Sequence, residues 1–178
     1  MNKFIVLYKS KYGAAKRYAL WLAEALGCPA IETKQAKISD VEQFDTIILG
    51  GGIYAGGIAG ISFLKKNYER LKNKSLLVYA VGASPFSEDG VAQLRNRHFR
   101  GDLQKIPLFY LRGAWNETKM SWSDRTLCAI LKKSIAKKTP QDYAPWEKAL
   151  MDAIGTDCDW TDKESLAPII GAVSHKYT

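Results

Sequence analysis

Sixteen residues near the start of the chain, Phe4-Ile-Val-Leu-Tyr-Lys-Ser-Lys-Tyr-Gly-Ala-Ala-Lys-Arg-Tyr-Ala19, pass from strand to glycine-bearing turn to helix. The run from Phe4 to Leu7 is rich in β-branched and aromatic residues, as a buried strand requires. From Ala14 the period changes. Ala15, Tyr18, Ala19, Leu22 and Leu26 recur at spacings of three and four, while Lys16, Arg17 and Glu24 take other faces, which predicts a helix with one apolar side. Between them, Ser10 to Gly13 must turn the chain sharply, so the free N–H groups and positive dipole end of the new helix face outward. Such a junction suits phosphate, and Lys11 and Lys16 add positive charge. The plainer alternative is an ordinary strand-to-helix turn capped by Ser10.

The same alternation continues. After a helix stop at Gly27, Cys28 to Glu32 reads as a short strand. A helical turn follows around Ser39 to Phe44, with Ser39 as cap and Glu42 as its capping-box partner. Thr46 to Leu49 is a strand entering the loop Gly50-Gly-Gly-Ile-Tyr-Ala-Gly-Gly57, with five glycines in eight positions. A helix spans Ile61 to Leu71, a strand Ser75 to Val81 ends in Gly82-Ala-Ser-Pro85, a helix covers Glu88 to Phe99, and a fifth strand runs Pro107 to Leu111. Strands alternating with helices imply βαβ units and a parallel sheet covered on both faces.

Beyond Arg112-Gly-Ala-Trp-Asn116 the rhythm changes. Trp122 to Lys138 is a basic amphipathic helix with Trp122, Leu127, Ile130, Leu131 and Ile135 apolar, read as core packing with a wet basic side. Pro140 to Ile154 is a further polar-apolar segment, Asp157-Cys-Asp159 an acidic turn, and the last helix, from about Asp162 to Val173, should pack back on the sheet. The expectation is one domain over residues 1–178 with an insertion at about 114–160.

Composition narrows the function classes. No apolar run approaches the roughly 18 residues that span a bilayer, and the run after Met1 leads directly into Lys9, Lys11, Lys16 and Arg17 instead of a leader pattern, so a cytoplasmic location is expected. Cys28, Cys128 and Cys158 form no CxxC pair, and His98 and His175 are the only histidines, so neither a metal site nor a Ser-His-Asp triad is supported. Residues 93–138 hold eleven basic side chains against three acidic ones, which accounts for the whole net charge of +8. That region is expected to face something anionic: a small substrate, or the inner face of a membrane touched peripherally. The bland alternative is a solvated surface.

In an open parallel sheet, ligands bind outside the carboxyl ends of the strands. Ser10 to Ala15, Gly50 to Gly57 and Gly82 to Pro85 all leave strands there, and Tyr54 is an aromatic able to cover a flat ring. Ser10-Lys-Tyr-Gly-Ala-Ala15 resembles the phosphate loop of flavodoxins, and Gly50 to Gly57 resembles the second flavin loop of the flavodoxin-like domain family. The resemblance covers strands one to five. It continues more loosely through Trp115 to Arg125 and Asp159-Trp-Thr-Asp-Lys-Glu164, in the manner of the branch containing the menaquinone-dependent protoporphyrinogen dehydrogenases.

The resemblance implies a doubly wound five-stranded parallel sheet in the order 2-1-3-4-5 with an extended helical insertion after strand five. It implies FMN, with phosphate at Ser10, Lys11, Tyr12, Gly13, Ala14 and Ala15, and the isoalloxazine between Gly52, Ile53, Tyr54, Ala55 and Gly56 on one side and Gly82, Ala83 and Ser84 on the other. No catalytic side chain in the usual sense is implied, and the protein would tune the cofactor by stacking, backbone hydrogen bonds and nearby charge. The sequence departs from the pattern in two respects. Ala14 and Ala15 supply no hydroxyl, and the chain is basic where flavodoxins that shuttle electrons are commonly acidic. The leading reading is an FMN-dependent oxidoreductase acting on a quinone-linked or porphyrinogen-type anionic substrate, with Arg97, Arg112 or Lys119 meeting its carboxylates. A plain electron carrier docking on a redox partner and a flavin-free binding module of the same fold are the alternatives. A homodimer is compatible with each, and nucleic acid is not an expected partner.

Overall fold

The computed structural model describes residues 3–174; His175 lies outside the described residues. Five parallel strands, β1 (Phe4–Lys9), β2 (Ala30–Glu32), β3 (Thr46–Tyr54), β5 (Ser75–Gly82) and β6 (Leu108–Arg112), stand in the order β2-β1-β3-β5-β6. A two-residue strand, β4 (Gly57–Ile58), folds back antiparallel on β3. With that return set aside, the sheet has the expected order 2-1-3-4-5.

Successive side chains of a strand point to opposite faces, so this sheet builds two cores at once. Ile5, Leu7, Ile47, Leu49, Leu76 and Val78 face one side, where Val41 of α2 (Ile38–Val41), Leu64 of α3 (Ile61–Lys66), Leu71 of α4 (Tyr68–Leu71) and Phe99 behind α5 (Glu88–His98) cover them. Val6, Ile48, Leu77, Tyr79 and Val81 face the other, under α1 (Ala14–Leu26) and α8 (Ala167–Ser174). Tyr18 of α1 is fully buried; its hydroxyl donates to the Arg112 carbonyl at 2.7 Å and accepts the Asp162 N–H at 3.0 Å. The last helix therefore docks on the sheet as its apolar residues predict, with Ile169 and Val173 fully buried.

Between β6 and α8 lies the insertion. β7 (Ala114–Asn116) leaves the sheet and pairs antiparallel with β8 (Asp157–Asp159), and between them run α6 (Trp122–Ile135) and α7 (Pro145–Ala153). Glu147 of α7, nearly buried, accepts from Lys138 Nζ at 2.6 Å and from the Ala144 N–H at 2.9 Å, which joins the end of α6 to the start of α7. None of the helices among the described residues is long and apolar enough to cross a membrane.

Several local expectations need correction. Asp157 to Asp159 is a strand, because Cys158 sits in register with Trp115 and the ladder outweighs the turn preference of the two aspartates. The helix expected over Ile61 to Leu71 breaks at Asn67, whose side chain donates to the Phe63 carbonyl at 2.8 Å in competition with the helix ladder. α2 has Lys37 at its N-cap, so Ser39 caps nothing and pairs with Asp40 instead. Gly50, Gly51 and Gly52 are strand residues rather than loop. A Cβ on Gly50 would lie 1.9 Å from the Tyr79 ring, and one on Gly51 would lie 2.0 Å from the Ala59 carbonyl oxygen.

This packing predicts opposite outcomes for two substitutions. Gly51→Ala meets fixed backbone and should lower unfolding free energy in urea by about 3 kcal/mol or more. Gly171→Ala, within α8 and with nothing within 4 Å of its added methyl, should raise it by about 0.5–1 kcal/mol.

Candidate functional site

The carboxyl ends of β1, β3, β5 and β6 converge below a cleft of about 320 Å³. Its floor is the sheet edge at Gly52, Val81, Gly82 and Gly113, and glycine keeps that floor low. A Cβ on Gly82 would meet the Tyr110 hydroxyl at 2.7 Å, and one on Gly113 would meet Val81 at 2.7 Å.

One wall is the turn into α1. Gly13 takes the left-handed conformation at φ 100° and starts the helix without a side-chain cap. Ser10 does not cap α1; its hydroxyl accepts the Gly13 N–H at 3.0 Å and tightens the turn. The N–H groups of Ala14, Ala15 and Lys16 in the first turn therefore have no intrahelical partner. Tyr12, Ala14 and Ala15 line the cleft, whereas Ser10, Lys11 and Gly13 are not among its lining residues.

The opposite wall is the β3–β4 hairpin. Ala55 at φ 47° and Gly56 at φ 72° form its two-residue turn, a geometry that asks for positive φ at both positions and leaves Ala55 strained. Helix α5 supports it, since His98 Nε2 lies 3.2 Å from the Gly56 carbonyl and Arg97 Nη1 would be 2.6 Å from a Cβ on Gly56. Tyr54 is half-buried at the end of β3; its hydroxyl accepts the Lys11 N–H at 2.9 Å, and its ring meets Tyr12 edge-on with centroids 6.0 Å apart. Burial raises the Tyr54 pKa, so its proton remains available to donate. Gly52, Ile53, Tyr54, Ala55, Gly56, Gly82, Ala83 and Ser84 all reach the cleft. The Tyr110 hydroxyl donates to the Ser84 carbonyl at 2.5 Å and fixes the third loop.

The roof comes from the insertion and was not anticipated. Met120, Leu127 and Leu131 on the α6 side and Trp146, Ala149 and Leu150 of α7 close over the floor. The sequence assigned five apolar residues of α6 to one core face, but only Ile135 is buried, and Trp122 and Ile130 point elsewhere. Trp115 of β7 also lines the cleft, and its indole Nε1 is buried with no hydrogen-bond partner. An unmatched buried donor costs about 1–3 kcal/mol, and no sequence signal marks it.

The roof is anchored on the α1 turn. Asp124, in the first turn of α6, accepts from Lys11 Nζ at 2.5 Å and from the Tyr12 hydroxyl, and the Ser121 N–H donates to that hydroxyl at 3.2 Å. Lys11, expected to offer its charge to a phosphate, is thus committed to a carboxylate. Arg112, expected to meet a substrate carboxylate, lies 4.1 Å from the centroid of the Trp160 ring and donates from Nε to the Ala83 carbonyl.

The Lys11 and Tyr12 hydrogen bonds hold the Asp124 carboxyl below the usual carboxylate range. A depressed folded pKa gives stability that is present above the unfolded value of about 3.9 and lost as pH falls through the folded one. At neutral pH the anchor is therefore intact. Asp124→Asn should speed amide hydrogen exchange across residues 121–135 severalfold at pH 7, and unchanged exchange there would show that the anchor does not hold the roof.

A family model described as "Flavodoxin domain" matches residues 5–142. No curated protein matches the chain. Among solved structures, the chain is similar to a short-chain flavodoxin associated with a non-canonical PDU bacterial microcompartment, at 15% identity over 67% of this chain and 90% of that one, TM-score 0.48. It is similar to a flavodoxin, WrbA-like protein from Agrobacterium tumefaciens, at 19% identity over 70% and 88%, TM-score 0.45. A flavoprotein in complex with FMN from Lactobacillus acidophilus NCFM is 12% identical over 63% and 93%, TM-score 0.45.

Proposed function

Because this chain belongs to the flavodoxin-domain family, we propose that its roofed cleft binds FMN and that the protein is an FMN-dependent oxidoreductase acting on a small, largely apolar anionic substrate. The observation that carries this reading is the set of free first-turn N–H groups of α1 at a cleft enclosed by the carboxyl ends of the strands and the apolar roof. A phosphate oxygen satisfies those donors, and an apolar occupant does not. FMN, when bound, supplies one- or two-electron redox chemistry.

The residues present fit such a group. Ala14, Ala15 and Lys16 offer backbone donors for a phosphate, and Ser10 keeps its own proton to donate while accepting from Gly13. The low floor at Gly52, Gly82 and Gly113 admits a flat ring, with Tyr12 and Tyr54 beside it. The hydroxyls missing at Ala14 and Ala15 and the Lys11–Asp124 pair weaken the phosphate end, so modest affinity is expected.

A cover of apolar side chains excludes water and favours a reaction on a bound substrate over electron transfer from an open edge. Beside the cleft, sharing Met120 and Cys128 with it, lies a cavity of about 440 Å³. Ala129 and Ile154 make it apolar, while Arg125, Lys132 and Glu117 give it charge. This supports a substrate with an apolar body and an acidic end, within which quinone-linked and porphyrinogen-type compounds fall.

The test is the visible spectrum of purified protein, followed by fluorescence titration of the apoprotein with FMN. Flavin absorption, or quenching that saturates at one FMN per chain, is the expected result; a colourless protein that leaves FMN fluorescence unchanged would refute it and favour a flavin-free module. Trp115→Phe should raise the melting temperature of the apoprotein, because it removes the orphaned buried donor.

A further inference from the structure

Helix α6 has two apolar sides, and only one has a use so far. Asp124, Leu127, Cys128 and Leu131 turn toward the cleft. At 100° per residue, Trp122, Thr126, Ile130 and Lys133 fall within an arc of about 80° on the opposite side of the helical path, and Lys137 follows in the turn just past the helix end. Trp122 is 81% exposed and Ile130 60% exposed, and both are large apolar side chains set in water without cover. On this one arc an indole and a branched alkyl group flank a lysine.

The charge around the arc is unneutralised. Several other cations of the basic stretch are occupied. Arg95 donates to the Gln104 and Ile106 carbonyls, Arg125 to those of Glu117 and Thr118, Lys105 pairs with Asp102, and Lys138 pairs with Glu147. Among the described residues no ion pair within 4.0 Å reaches Lys119, Lys132, Lys133 or Lys137, and these exposed side chains project from α6 or the approach to it.

We propose that the outer face of α6 docks on an anionic lipid bilayer, with Trp122 and Ile130 entering the interface and Lys133, together with Lys137 in the turn after the helix, lying against the headgroups. An amphipathic helix bound in the interfacial plane needs apolar anchors on the face that carries or borders its lysines, and Trp is well placed at that depth. A bare polyanion such as nucleic acid would account for the lysines but gives exposed Trp122 and Ile130 no apolar surroundings. The inference does not depend on FMN. It does bear on the substrate, because the helix that roofs the cleft would lie on the membrane and bring the cleft to lipid-soluble molecules.

The test is co-sedimentation of the full chain with vesicles of phosphatidylcholine containing about one-third phosphatidylglycerol, against pure phosphatidylcholine. Three proteins are compared: unmodified, Lys133→Glu/Lys137→Glu, and Trp122→Ser/Ile130→Ser. None of these side chains lines the cleft, so unchanged melting curves and FMN titrations certify folded variants whether or not FMN binds. The unmodified chain should pellet with anionic vesicles only, and each double variant should lose more than about tenfold in partitioning. Absence of binding by the unmodified chain overturns the proposal. So does binding lost by the lysine variant yet untouched by Trp122→Ser/Ile130→Ser, which would mark a generic polyanion site. A dimer in solution that only the Trp122→Ser/Ile130→Ser variant dissolves, with no vesicle binding, would assign the face to a second copy.

Discussion

The ring of Tyr79 lies where a side chain on Gly50 would have to be, and much of the molecule follows from that exclusion. Tyr79 is fully buried in β5 beneath α1, and its hydroxyl donates to the Ala15 carbonyl at 3.3 Å. One side chain thus links the central strands to the first turn of α1. It can sit there only because β3 carries no Cβ at that point. Gly52, Gly82 and Gly113 likewise leave room for Tyr54, Tyr110 and Val81 to pack against the backbone, and all three reach the cleft at the carboxyl edge of the sheet, the platform. The helix start and the β3–β4 hairpin stand at its two sides. A ligand-sized space is a consequence of that packing.

Over that platform stands the roof. The β7–β8 ribbon leaves the sheet edge and carries α6 and α7 back over the platform. Asp124 ties the start of α6 to the α1 turn through Lys11 and Tyr12, while Glu147 ties its far end to α7. The exposed Lys11–Asp124 pair contributes little as an isolated ion pair. Its weight lies in position, since it fixes one anion close to a turn built to receive another. A phosphate bound at that turn as proposed would compete with Asp124 for the same surroundings, so the roof and the ligand are expected to respond to one another.

Much of the fold was legible in the sequence because alternating strand and helix periods leave few arrangements, and the burial of Ile5, Leu7, Val6 and Tyr18 follows them directly. Eleven of the fourteen residues proposed for the site line one cleft, because glycines and small residues at strand ends have few other reasons to cluster. The remaining three, Ser10, Lys11 and Gly13, shape or anchor the turn instead. What stayed hidden depended on tertiary contact. Gly50 to Gly52 read as loop because local preference cannot register a ring arriving from another strand. Asp157 to Asp159 read as a turn because a three-residue strand has no period of its own. The apolar residues of α6 read as one face although Leu127 and Leu131 lie roughly 100–140° around the helix from Trp122 and Ile130 on average. The orphaned indole of Trp115 exists only once β7 and α7 have closed around it.

The central claim is that platform, α1 turn and roof enclose one ligand together. The measurement that addresses it most directly is amide hydrogen exchange, read by mass spectrometry with and without saturating FMN. The account predicts slowed exchange in five separate stretches: residues 12–17, 52–57, 82–84 and the roof at 120–131 and 146–150. Protection confined to the first three would mean that the insertion takes no part in holding the ligand. Protection confined to the outer basic surface, with the strand ends unchanged, would contradict the assignment of the cleft itself.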